Sequence, residues 1–309
     1  MEVAIILEQM IQIFIMMFLG FLIFRLKIID EVFLKRMSTV IVNVTIPALI
    51  LSSVMSESMV SDPHLALIVL IASFIIQFIM PFPAFLITRL LRVPKENTGI
   101  YLFATTFSNV GFMGYPITQA LLGETGLFYA SLFNMMFNVA LFLFGPQLMA
   151  FGTDTKEKFS FKNLITPGII CSLLALIIYF SGIKTPDVIY QTCKSMGAVT
   201  TPMAMIVVGG NLAKMNLREV FRNVRIYPYS LIKQLAIPII FWLILKNLIS
   251  DRIVLNVLII MISMPVANNT VLFATEYDKN TDLASALVFV TTLFCIFSIP
   301  FVSLICSGL

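Results

Sequence analysis

The chain is a succession of apolar runs, each about twenty residues long, divided by short clusters of charged and turn-forming residues. A helix needs about that length to cross the ~30 Å hydrocarbon core of a bilayer. In lipid every backbone amide and carbonyl must find its partner within the protein. Ten such runs can be marked, at 4–24, 37–55, 64–88, 98–121, 126–150, 164–182, 188–212, 226–248, 254–275 and 283–307. The seventh is the least apolar, because it opens on Tyr190, Gln191 and Lys194. Composition agrees. Apolar residues make up 59% and charged residues 12%, with a mean hydropathy of +1.00. A soluble domain carries about 25% charged residues to solvate its surface. The reading is an all-α polytopic membrane protein with ten transmembrane helices in the lipid bilayer. It disfavours a soluble enzyme, a nucleic-acid binder and a disordered scaffold.

Several chemistries lack their parts. Cys171, Cys193, Cys295 and Cys306 form no C-x-x-C pair, and three of them lie in apolar runs, so neither a disulfide framework nor a zinc site is expected. His64 is the only histidine, which removes a histidine metal cluster and a Ser-His-Asp triad. It stands at a helix start and reads as interfacial. No phosphate loop and no nucleophile elbow occur. No cofactor, no metal and no enzymatic activity are expected.

Orientation follows from charge. The first run carries Glu2 and Glu8 at its start and Arg25 and Lys27 at its end. It reads as a retained span, not a signal peptide, with its N-terminus outside. The stretches then placed in the cytoplasm hold fifteen of the twenty Lys and Arg, and the outer ones hold four. That asymmetry is the positive-inside signal. Both termini are therefore predicted on the outer side of the cell membrane.

The two halves match in order. Val44-Thr45-Ile46-Pro47 in run two pairs with Val199-Thr200-Thr201-Pro202 in run seven. Gln77 to Pro81 in run three pairs with Gln234 to Pro238 in run eight. Gly111, Gly114 and Pro116 in run four pair with Pro265, Asn268 and Asn269 in run nine, and Pro146 pairs with Pro300. Five runs per half put the second half in the membrane upside down, which is an inverted repeat of the kind transporters use. The expected organisation is a first five-helix repeat over 1–152, a short cytoplasmic loop over 153–163 and a second, inverted repeat over 164–309.

Runs four and nine are the candidate site. Gly111, Gly114 and Pro116 are expected to interrupt run four, and Pro265 with Asn268 and Asn269 to interrupt run nine. Groups freed by such breaks cannot face lipid. If both runs unwind and cross, their half-helix N-termini present partial positive charge at one point, which suits a carboxylate. Lys233 lies well inside run eight, where a cation costs on the order of 2.5–3.5 kcal/mol. It could attract an anionic substrate, stand in for a coupling cation or carry a proton; the bland alternative is that it snorkels to the cytoplasmic interface. Gln77 and Gln234 are candidate cavity-lining residues. Asn43, beside Pro47, and Asn134 with Asn138 read first as helix-packing residues.

These residues carry a resemblance. Asn109-Val-Gly-Phe-Met-Gly-Tyr-Pro116 resembles the N-x-G-F-x-G-x-P signature of the auxin efflux carrier family. Met264-Pro265-Val-Ala-Asn-Asn through Glu276-Tyr277, then Thr291-Thr292-Leu293 and Pro300, is similar to the C-terminal end of that family, and Asn43 with Pro47 fits its second span. The resemblance covers nearly the whole chain, in the compact bacterial form related to the plant PIN auxin carriers. It implies two inverted five-helix repeats with crossing broken helices four and nine, as in bile-acid symporters and sodium/proton antiporters. It also implies a scaffold of helices 1, 2, 6 and 7, often as a homodimer, and a mobile transport part of helices 3–5 and 8–10 that moves as an elevator. The cargo it implies is a small organic anion, a carboxylate or dicarboxylate. Carried over, Asn109, Pro116, Pro265 and Asn268 or Asn269 would bind the carboxylate, with Lys233 and Gln77 beside it. Absent from this sequence is a mid-membrane carboxylate of the kind antiporters use, which leaves uniport or lysine-mediated coupling open. A sodium- or proton-coupled symporter of another small solute on the same fold is the alternative. A non-transporting receptor is a further rival.

Overall fold

The computed structural model describes residues 2–55, 62–152, 167–181, 183, 185–215 and 223–307. The expected loop over 153–163 lies outside the described residues. Those residues are mostly helical, and the only β-pairing among them is one isolated bridge, Ser108 with Val266. In chain order the helices are α1 (Glu2–Arg25), α2 (Glu31–Val40), α3 (Ile46–Met55), α4 (Pro63–Ile79), α5 (Pro81–Leu90), α6 (Lys95–Thr106), α7 (Tyr115–Met149), α8 (Pro167–Ser181), α9 (Asp187–Ala198), α10 (Thr200–Lys214), α11 (Ile226–Leu231), α12 (Ile237–Leu245), α13 (Arg252–Ser263), α14 (Asn269–Glu276) and α15 (Thr281–Ser307). Five continuous stretches are long and apolar enough to cross a membrane: Glu31–Met55, Pro63–Leu90, Asp187–Lys214, Ile226–Leu245 and Thr281–Cys306. A bent pair, Val110–Leu141 with Leu143–Met149, makes a sixth.

Helix starts are set by local chemistry. The Asp30 carboxylate accepts from the Phe33 amide at 2.7 Å, so α2 begins at Glu31, six residues before the apolar run expected at 37. Asp62 and Asp251 cap α4 and α13 in the same way, with Pro63 in the first turn of α4. Such caps satisfy amides that have no partner within the helix.

Proline explains the shape of the long helices. Its ring presses on the carbonyl four residues back, and it donates no hydrogen bond. Ahead of Pro47, Pro116 and Pro238 the backbone widens into a π-turn, over Ile41–Thr45, Val110–Gly114 and Ile232–Ala236. In each, the residue before proline donates to the carbonyl five back: Ile46 to Ile41, Tyr115 to Val110, Ile237 to Ile232. The extra residue gives the ring room. The carbonyls under those rings belong to Asn43, Phe112 and Gln234, and Gln77 holds the same place before Pro81. Pro146 follows a 55° bend at Leu141–Leu143 by the same spacing.

At Gly123, φ is 66° and ψ is −158°, a region only glycine enters freely. The chain turns there, dividing α7 into the ends of runs four and five. Helix α1 lies along α10 with backbone nearly touching: a Cβ on Gly20 would stand 2.5 Å from the Ile206 carbonyl oxygen, and one on Gly209 would collide with that of Met17. Helix α3 packs on α8 and α9, α4 and α13 on α7, and α13 and α14 on α15. Outward, large apolar side chains stand bare, such as Phe82 at 77% and Phe297 at 71% exposure. A soluble monomer seldom tolerates such a surface, whereas lipid matches it. The protein is a multi-pass membrane protein.

Candidate functional site

The centre of the molecule is a crossing of two interrupted helices. α6 ends at Thr106, and α13 ends at Ser263. Between them the non-helical segments 107–109 and 264–267 run antiparallel. The Asn109 amide donates to the Pro265 carbonyl at 2.7 Å, and the Ala267 amide to the Phe107 carbonyl at 3.3 Å. These two bonds flank the Ser108–Val266 pair. Backbone groups that no helix satisfies thus satisfy each other in the protein interior, as lipid requires. The position of the first break corrects the sequence expectation. Gly111 and Gly114 lie inside the π-turn and Pro116 inside the first turn of α7, so the chain unwinds before the glycines, at Phe107–Asn109. Gly114 serves a different need, because a Cβ there would stand 2.9 Å from the sulfur of Met261 on α13. In the second half the break falls at Pro265 and ends at Asn268, where α14 begins.

Side chains from α15 and the α11–α12 span seal the crossing. The Thr291 hydroxyl accepts from the Val266 amide at 3.1 Å and donates to the Leu287 carbonyl at 2.7 Å. The Gln234 side-chain amide donates to the Thr291 carbonyl at 2.9 Å. Lys233 is fully buried, and its Nζ donates to Ser108 Oγ at 2.6 Å and to the Ile262 carbonyl at 3.4 Å. The snorkelling alternative therefore fails: the ammonium turns inward to the crossing. Among the buried polar atoms with no partner among the described residues are Asn109 Nδ2, Thr270 Oγ1, Gln234 Oε1 and Gln77 Oε1. Each such group costs about 1–3 kcal/mol when left unpaired in the interior.

A cavity of about 940 Å³ opens beside the crossing. One wall comes from α2, its π-turn and α10, through Ser38, Asn43 and Asn211; the other from Phe112, α14 and α15, through Asn268, Asn269 and Ser285. Toward its mouth stand Glu31, Lys35, Lys214 and Asp282, with Lys214 paired to Glu31 at 3.1 Å. The cavity brings together Asn43, Asn268 and Asn269. Asn43 is exposed, its Nδ2 donating to the Thr39 carbonyl at 2.8 Å, which moves it from helix packing to the cavity wall. Asn109, Gly114, Pro116, Pro265, Lys233, Gln234 and Gln77 are buried behind the cavity, while Gly111 is half-buried, with open space where a side chain would be. Sequence reasoning passed over Ser108, Thr291 and Asn211. Ser108 adjoins Asn109, Thr291 falls in the C-terminal similarity, and Asn211 follows Gly209-Gly210 in an apolar run. A polar residue beside a break was the available signal. No group of His, Cys, Asp and Glu among the described residues could hold a metal.

Comparison with known proteins finds transporters. An uncharacterised transporter of Methanocaldococcus jannaschii is 25% identical over 276 residues, 86% of this chain and 88% of that protein. One of Methanothermobacter thermautotrophicus is 24% identical over 298 residues, 96% of this chain and 97% of its own. A provisionally named malonate transporter of Rhizobium meliloti is 24% identical over 200 residues, 62% of each chain. The membrane transport protein family matches twice, over residues 5–156 and 150–303. With a match across nearly its whole length, one copy in each half, the chain belongs to the membrane transport protein family, that of the auxin efflux carriers.

Proposed function

We propose that the protein is a secondary transporter that carries a small organic anion, a carboxylate or dicarboxylate, across the cytoplasmic membrane by elevator-type alternating access. The observation that carries the reading is the paired break. Two interrupted helices meet at Ser108–Val266, and the asparagines at the start of α14 face a cavity wide enough for a small solute. Helix starts offer unpaired amides and partial positive charge to an anion. The lining adds neutral donors from Asn43, Asn211, Asn268 and Asn269. Transporters built this way hold their substrate near the bilayer midplane at the repeat interface.

The same reading treats the chain as ten spans in two inverted repeats. The double family match and the break present in each half support it. Helices α1, α2–α3, α8 and α9–α10 would form the fixed scaffold; α4–α7 and α11–α15 would form the moving part. The packing of α1 on α10 and of α3 on α8 and α9 is consistent with that division, and the cavity runs along the seam. With basic residues inside, its mouth at Lys35 and Lys214 faces the cytoplasm. The malonate named for the Rhizobium relative is a reasonable first probe. Purified protein in liposomes should take up radiolabelled malonate or malate with saturation and mutual competition. Absence of flux across a panel of mono- and dicarboxylates would refute the proposal.

A further inference from the structure

The end of α13 is short of donors in a way that points to a cation. The last carbonyls of any helix have no intrahelical partner. Here the shortage extends beyond the usual fraying, because the residues that follow have other commitments. Pro265 has no N–H to offer Met261. The Val266 amide is used on Thr291, and the Ala267 amide on Phe107. The carbonyls of Met261, Ile262 and Ser263 therefore lose their helical donors at one spot, at the negative end of the helix dipole. Lys233 reaches that spot from the neighbouring span, with Nζ on the Ile262 carbonyl and on Ser108 Oγ in the opposite break. No carboxylate among the described residues pairs with it. Its charge is held by carbonyl and hydroxyl oxygens alone, which is the ligand set of a bound alkali cation. In secondary transporters, unwound carbonyls and half-helix C-termini are where sodium or a proton binds.

Building on the transport reading, we infer that the Lys233 ammonium is a tethered cation occupying the coupling-ion position, so that this carrier moves its anion without a dissolved coupling cation. The side chain reaches the crossing from α11–α12, binds both breaks at once and never dissociates. The crossing is thus held in its competent form whether or not sodium is present. Removing the ammonium uncovers a pocket of carbonyl and hydroxyl oxygens that a free cation can enter.

The test compares the wild-type protein with Lys233→Ala and Lys233→Gln, each in sodium chloride and in choline chloride at equal ionic strength. Thermal unfolding of the purified full-length protein is the deciding measurement, since it requires no knowledge of the substrate. Wild-type unfolding should be the same in both salts. Lys233→Ala should unfold earlier in choline and regain about 2–4 °C or more in sodium. In liposomes with radiolabelled malonate, wild-type flux should ignore the salt. Flux by the alanine variant should fall at least tenfold in choline and recover in sodium, while the bulkier glutamine, which fills the pocket, should recover less. A wild-type protein that unfolds later or transports only with sodium overturns the inference, as does an alanine variant indifferent to sodium in unfolding. If no carboxylate is carried at all, the transport reading fails, while the unfolding comparison still decides the role of Lys233.

Discussion

Replacing Thr291 with valine is the sharpest probe of the crossing, because the two side chains share one shape and differ by a hydroxyl. Thr291 and Val266 are both fully buried. The hydroxyl accepts the Val266 amide at 3.1 Å, and a valine methyl in its place cannot. The Leu287 carbonyl, which the hydroxyl also contacts, sits inside α15 and keeps its helical partner. The loss therefore reduces to one orphaned buried amide, about 1–3 kcal/mol. For a chain of this size that corresponds to a few degrees of unfolding temperature, at about 2–4 °C per kcal/mol. Unfolding of the detergent-solubilised protein at one fixed heating rate reads it, since such transitions depend on scan rate. Thr291→Ser keeps the hydroxyl and should stay near wild type. Carboxylate flux should fall with Thr291→Val and not with Thr291→Ser, because Val266 is the residue paired with Ser108. If the valine and serine variants unfold together, the Val266 amide does not depend on Thr291 and the reasoning is wrong.

Other expectations follow from the same contacts. Asn268→Ala and Asn269→Ala should cut flux at least tenfold, about 1.4 kcal/mol or more, with little change in unfolding temperature, because both residues are half-buried in the cavity wall. On a cysteine-free background, Asn43→Cys should react with a hydrophilic maleimide, while Gln77→Cys and Gln234→Cys should not until the protein is unfolded. Gly209→Ala should destabilise strongly, since its Cβ meets the α1 backbone, whereas Gly168→Ala, with open space around it, should be neutral or better. Glu31→Gln should change stability by less than about 1 kcal/mol at physiological salt, as its ion pair with Lys214 is largely exposed.

Much of this was legible in the chain. Apolar length marked the chain as helical and membrane-spanning, because lipid leaves the backbone no other partner. The two asparagines after Pro265 foretold the second break, since proline removes a donor and its ring obstructs the helix. The first break was misplaced for an instructive reason. Gly111 and Gly114 look like helix breakers, yet one turns out to admit Met261 and both remain wound. The unwinding falls on Phe107–Asn109, where Ser108 and Asn109 give only a weak local signal, and is fixed by pairing with a segment 158 residues later. No local pattern reports a partner that distant. Lys233 was visible as a misplaced charge, but its two acceptors were not, for the same reason. The start of α2 was missed because apolarity was followed and the Asp30 cap was not.

The ladder between the two breaks has a mechanical consequence. In antiparallel pairing, successive side chains point to opposite faces, so a slip of one residue would turn Ser108 away from Lys233 and present its neighbour instead. Such a joint has no intermediate setting; it is engaged or it is broken. The two halves of the protein are thereby geared together at their middle, and the pieces on either side of Ser108 and Val266 cannot slide past one another. In the transport stroke proposed above, this joint would stay closed and the travel would fall along the seam where the cavity lies.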